Sequence, residues 1–231
     1  MAGKTISITT KDGPMDAYLA PAGNHHPGVV VIQEIFGVNA GIRAICDRFA
    51  GLGFNAIAPD LFWRLERGVE LDHDKPEDFQ RALALMGKFD QKKGVEDIQA
   101  TITTLRKDSS SNGKTGAVGY CLGGLLAYLT AARTDSDASV GYYGVNIDQM
   151  LGEASSIRKP LMLHIAEDDQ FVTKEAQKKI KDGLKGNKLV TIHSYPGAGH
   201  GFARVGGAHP DKKNADLANR RTLDFFKKHL G

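Results

Sequence analysis

The unbroken apolar run Gly28-Val29-Val30-Val31-Ile32 does most to limit what this chain can fold into. A strand with one wetted face alternates apolar and polar residues. Consecutive β-branched residues instead suit a strand covered on both faces, the situation in a parallel sheet with helices packed above and below. Further strand-like segments occur at 54–60, 114–120, 138–144, 160–167 and 188–195. Between them lie helical patterns: Ile42, Ile45, Phe49 and Leu52 within 40–52, and Val95, Ile98, Ile102 and Leu105 within 95–105. Leu223, Phe226 and Leu230 make a third such face near the end. The opening segments KTISITT and MDAYLAP, joined through Asp12-Gly13-Pro14, predict two antiparallel strands at one edge. The expected fold is therefore α/β, a mostly parallel central sheet flanked by helices with antiparallel leading strands. With 231 residues and no repeat or linker, one domain over 1–231 is expected. The longest irregular stretch, Asp60 to Pro76, is expected to border a pocket.

Several function classes are disfavoured. A formal charge of +3, with basic residues scattered, gives no footprint for nucleic acid or a membrane surface. The longest apolar run, around Leu122 to Ala132, is too short and interrupted to span a bilayer, and the N-terminal segment lacks a signal-peptide core. The two cysteines, Cys46 and Cys121, have no metal-site spacing and suggest no disulfide framework, so a reducing cytoplasm is the simplest compartment. Cys46 falls on the apolar face of the 40–52 helix and reads as packing. No metal or organic cofactor is expected, and the partner is a small molecule. A monomer is compatible with the sequence, which does not state an oligomeric state.

Cys121 is different. Gly119-Tyr120-Cys121-Leu122-Gly123 follows a strand and opens a helix, the nucleophile-elbow pattern with cysteine in place of serine. Glycines let the chain turn sharply, and a helix N-terminus beside the thiol favours thiolate. A thiol nucleophile needs a base and the base needs an orienting acid, which in this chain order follow the nucleophile as acid and then histidine. Glu167-Asp168-Asp169 follows one strand, and His200 lies in the glycine-rich YPGAGHGF after the last. His164 and His193 fall within strands, while His25, His26, His73, His209 and His229 lie in polar loops or the terminal helix. Glu34 closes the apolar strand, where a buried charge calls for a partner, and should face the same cleft as Cys121. The backbone N–H groups of Ile35 and Leu122 are the candidate oxyanion donors.

At this point the segments QEIFGVNAGIRAICDRFAGLGFNAIAPDLFWR, GKTGAVGYCLGG, GYYG, EDDQFV and GAGHGFAR together resemble the dienelactone hydrolase family, in matching order over nearly the whole chain. The resemblance implies an α/β-hydrolase fold with a Cys-Asp-His triad that opens unsaturated lactones through a thioester, as in the breakdown of aromatic compounds. Matched to the family's motifs, the triad is Cys121, Asp169 and His200, with Asp168 the less apt acid. The same matching makes Glu34 the carboxylate that meets the thiol and Arg204 a binder of the substrate's carboxylate. The chain departs from the family in EDFQRALALMGKFD, where Phe79 and Leu83 stand at positions expected to be arginine and aromatic. Arg81 is the candidate for a second positive charge from a shifted position, and Tyr142 and Trp63 are candidate pocket walls. That altered helix keeps open an alternative, a thiol esterase of the same fold acting on another small ester or lactone. A non-catalytic ligand receptor should show a broken triad, and all three members are present.

Overall fold

The computed structural model describes residues 3–206 and 211–231, so His209 lies outside the described residues. β3 (His26–Ile32) carries the apolar run, and Val29 to Ile32 are fully buried at the centre of an eight-stranded sheet. The others are β1 (Lys4–Thr10), β2 (Gly13–Ala20), β4 (Asn55–Pro59), β5 (Ser111–Tyr120), β6 (Ser139–Tyr142), β7 (Leu161–Ala166) and β8 (Val190–Tyr195). Their spatial order is β1-β2-β4-β3-β5-β6-β7-β8. Strand β2 pairs antiparallel with both β1 and β4, and every other pairing is parallel. The leading hairpin is thus an antiparallel edge on a parallel sheet, the α/β arrangement that the sequence predicts.

The helices are α1 (Ala40–Gly51), α2 (Pro76–Lys88), α3 (Gln91–Lys107), α4 (Leu122–Arg133), α5 (Lys174–Leu184) and α6 (Lys212–Leu230). Their starts are written locally. Asn39, Asp90 and Thr173 accept backbone N–H bonds from the first turns of α1, α3 and α5, and Pro76 opens α2 where its missing donor costs nothing. Helix α1 buries Ile42, Ile45, Cys46 and Phe49, whereas Leu52 caps the helix and is exposed. Helix α6 buries Phe226 and Leu230 but fills the rest of its face with Ala218, Thr222 and Phe225 rather than Leu223. Phe49 of α1 meets Phe226 of α6 at 5.9 Å between ring centroids, which ties these two helices into one layer.

Helix α4 is buried at every position from Leu122 to Ala131. It follows a central strand directly, so its N-terminus sits at the carboxyl edge of the sheet, where α/β folds place their ligands. The irregular stretch before α2 is fastened to that edge: the Leu71 N–H donates to Phe36 O at 2.9 Å, and Gly37 bridges to Glu70. Among the described residues no helix is long and apolar enough to cross a membrane.

Candidate active site

Between β5 and α4 the backbone reverses within one residue. Cys121 holds φ 56° and ψ −113°, a conformation that costs a non-glycine residue about 1–3 kcal/mol and persists only where its surroundings enforce it. The surroundings are visible. The Cys121 N–H donates to Tyr142 O at 3.1 Å, and its carbonyl accepts from Gly124 N at 2.9 Å. Flanking glycines allow the required approach, since a Cβ on Gly123 would strike the carbonyl oxygens of Ile32 and Gln33, and one on Gly119 that of Gly123. Leu122 is the first residue of α4, so its N–H is among those with no acceptor inside the helix.

The loop after β8 brings His200 to this turn. Its Nδ1 lies 2.8 Å from Asp169 Oδ2, and both side chains are almost wholly buried. Asp169 is itself fixed by backbone, because its Oδ1 accepts from the N–H groups of Phe171 at 2.8 Å and Val172 at 3.2 Å. Burial opposes a charge on His200, yet its bonds to Asp169 and Cys121 outweigh burial and push the imidazole pKa up to about 10. A thiol, an imidazole and an orienting carboxylate in this arrangement are equipped for acyl transfer. Asp168, the other acid of the pair, is 61% exposed and sits 3.5 Å from Lys174. It does not reach the histidine.

Cys121 and His200 open onto a cavity of about 450 Å³ whose walls include Ile35, Phe36, Phe79, Leu83, Met86 and Phe171. Ile35 lines the same cavity as the thiol. Glu34 and Arg204 differ from expectation. The Glu34 carboxylate, 4% exposed, is gripped by Arg204 in a bidentate pair, Nε to Oε2 at 2.7 Å and Nη2 to Oε1 at 3.0 Å. The charge at the end of β3 has a partner, but that partner is the guanidinium and not the thiol. The same pair engages the guanidinium expected for substrate, which also lies 5.4 Å from the Phe36 ring.

The two expected wall residues, Tyr142 and Trp63, and the expected second charge, Arg81, stand elsewhere. Tyr142 is fully enclosed and its hydroxyl bonds Thr222 at 2.6 Å and Asn219 at 3.1 Å, against α6. Trp63 donates its indole N–H to Asp97 of α3 at 3.0 Å and stacks with Arg64. Arg81 points to solvent and pairs with Glu66, because it stands two residues from both Phe79 and Leu83 and so on nearly the opposite side of α2 from the cavity face those residues share with Met86. The sequence reading passed over Tyr143 and Phe171, whose rings meet the His200 imidazole edge-on at 5.0 and 4.9 Å. Position offered a signal for both: Tyr143 is the first residue beyond β6, and Phe171 lies two residues after the acid.

Known proteins match this architecture closely. The model of the dienelactone hydrolase family matches residues 15–230. A protein of Azospirillum brasilense is 51% identical over 223 residues, covering 95% of this chain and 96% of that one. Carboxymethylenebutenolidase 1 of Cupriavidus pinatubonensis is 39% identical over 228 residues, covering 98% and 97%. A dienelactone hydrolase structure from Klebsiella pneumoniae superposes with a TM-score of 0.84 at 26% identity, covering 97% of this chain and 98% of that one. Sequence match, shared fold and an elbow cysteine beside a buried histidine agree: this chain is an ester hydrolase and belongs to the dienelactone hydrolase family.

Proposed function

We propose that the protein hydrolyses a small lactone or carboxylic ester through a thioester on Cys121, with His200 as acid and base and Asp169 as its orienting carboxylate. The observation that carries this reading is the elbow geometry, a left-handed Cys121 beside a histidine whose far nitrogen is 2.8 Å from a buried aspartate. The raised pKa of His200 suits an imidazolium beside the sulfur, with a proton ready for the departing oxygen. The sulfur attacks the carbonyl carbon, forming the C–S bond as the carbonyl oxygen takes up negative charge. The amides of Leu122 and Ile35 hold that oxyanion, each such donor contributing about 3 kcal/mol in comparable sites. Collapse breaks the C–O bond, and the imidazolium gives its proton to the departing oxygen. In a lactone that oxygen stays on the same molecule, as an enol where the ring is unsaturated.

Neutral His200 then takes a proton from water as the water oxygen attacks the thioester. The C–S bond breaks, the acid leaves, and the sulfur is free again beside the imidazolium. Asp169 keeps the tautomer that presents the other ring nitrogen to sulfur and substrate. Two buried free cysteines, Cys46 and Cys121, suit reducing surroundings such as a cytoplasm. Names among the relatives point to the opening of a butenolide ring. The test is turnover of phenyl acetate and of a simple butenolide by the wild type and by Cys121→Ala. Activity that disappears in the variant while the circular-dichroism spectrum is unchanged supports the thiol mechanism. Activity that survives the substitution refutes it.

A further inference from the structure

We infer that the water which hydrolyses the thioester is held in a second, polar cavity behind the reacting groups and reaches His200 along the side chain of Tyr143. This rests on the thioester reading above. The second cavity, of about 320 Å³, is walled by Asn39, Glu70, Asp72 and both members of the Glu34–Arg204 pair. Arg204 and His73 also wall the Cys121 cavity, so the two spaces meet along the same side chains. They offer water different terms. Around Cys121 the walls are mostly apolar, with Phe36, Phe79, Leu83, Met86 and Phe171, and such a surface gives water few partners. The second cavity presents carboxylates, an amide and a guanidinium, the partners that ordered water takes. The difference matters most for a lactone. An open ester loses its alcohol, which vacates the Cys121 cavity before water attacks. A lactone keeps its leaving oxygen on the acyl group, so nothing departs before water must arrive. Water then comes from behind: its oxygen forms the new C–O bond, its proton passes to His200, and the C–S bond breaks.

Two phenol hydroxyls carry the inference further. Tyr120 and Tyr143 line the second cavity at 1% and 2% exposure, and neither hydroxyl has a hydrogen-bond partner among the described residues. Buried polar groups are paired, so a donor that the protein leaves over calls for water. Burial, and after it the Glu34 carboxylate, hold the Tyr143 pKa well above the ordinary tyrosine range, and this hydroxyl stays a neutral donor. Its ring meets the His200 imidazole edge-on at 5.0 Å, which joins the second cavity to the base that must take the proton. The placement is enforced. Tyr143 keeps φ at 37°, costly for an aromatic residue, while its backbone N–H donates to His164 O at 2.8 Å.

The test compares dihydrocoumarin, a cyclic phenyl ester whose phenol stays attached, with phenyl acetate, whose phenol departs. Rapid acid quench and intact-protein mass spectrometry follow the formation and decay of the Cys121 thioester in single turnovers. Tyr143→Phe removes the hydroxyl and keeps the ring against His200. It should slow decay of the lactone adduct about fivefold, the effect of one lost hydrogen bond, with formation of the adduct unaltered. Ala40→Trp, at an exposed position lining the second cavity, narrows that space without touching the reacting groups. It should slow decay of the lactone adduct and leave the acetyl adduct at the wild-type rate. Unchanged decay of the lactone adduct in either variant would overturn the inference, as would equal slowing of both adducts by Ala40→Trp. A lactone adduct absent from all three proteins, with the acetyl adduct present, would overturn it too. No adduct from either substrate would instead refute the thioester reading on which it rests.

Discussion

The pair between Glu34 and Arg204 allows a quantitative test, because it joins segments 170 residues apart at the edge of the cavity. Arg204→Met removes the guanidinium and keeps much of the apolar stem. The Glu34 side chain is 6% exposed and that of Arg204 20%, so the pair is largely shielded from water. Unit charges about 4 Å apart at an effective dielectric near 20 attract by about 4 kcal/mol. Stranding one member of a buried pair costs about 3–5 kcal/mol in other proteins. Both routes place Arg204→Met about 3–4 kcal/mol below the wild type in unfolding free energy. In urea this is a midpoint shift of about 1 M for a slope near 3 kcal/mol per M. Glu34→Gln combined with Arg204→Met should recover more than half of the loss, since no buried charge is then left alone. A single variant within about 1 kcal/mol of wild type would refute the reasoning, as would a double variant no better than the single one.

Two further outcomes follow from the same geometry. Because the His200 pKa is raised from its ordinary value to about 10, its ion-pair contribution to stability is fully present below about pH 6.5 and fades as pH rises through 10. The stability difference between wild type and His200→Gln should therefore shrink across that interval in urea titrations; a constant difference would exclude a charged histidine. Tyr142→Phe should cost about 1 kcal/mol by removing the bonds to Thr222 and Asn219, yet leave KM for phenyl acetate unaltered. A raised KM would return Tyr142 to the substrate.

The sequence made the sheet legible because consecutive β-branched residues suit a strand covered on both faces better than a helix, and Val29 to Ile32 carry that mark. The elbow was legible for a related reason. A tight turn admits few residue types, so Gly119 and Gly123 point to the residue between them. What stayed hidden depended on rotation or on distant partners. Tyr142 and Tyr143 are indistinguishable as letters, but Tyr143 leaves the strand with φ 37° and turns its ring towards His200. Arg81 fails the cavity because it lies on nearly the opposite side of its helix from Phe79 and Leu83. Trp63 is claimed by Asp97 and Glu34 by Arg204, contacts between residues 34 and 170 positions apart that no local pattern announces.

The elbow, the acid loop and the histidine loop all hang from strand ends, whereas Phe79, Leu83 and Met86 belong to α2, which buries only Ala82 and Leu85 in the body of the protein. One wall of the cavity thus rests on a different foundation from the reacting groups, while Ile35, Phe36 and Phe171 share theirs. Drift in one short helix face can retune what enters without disturbing a single bond of the reacting groups. A lineage built this way can diversify its diet while its reaction stays fixed, and an experimenter can follow it with a library of three positions.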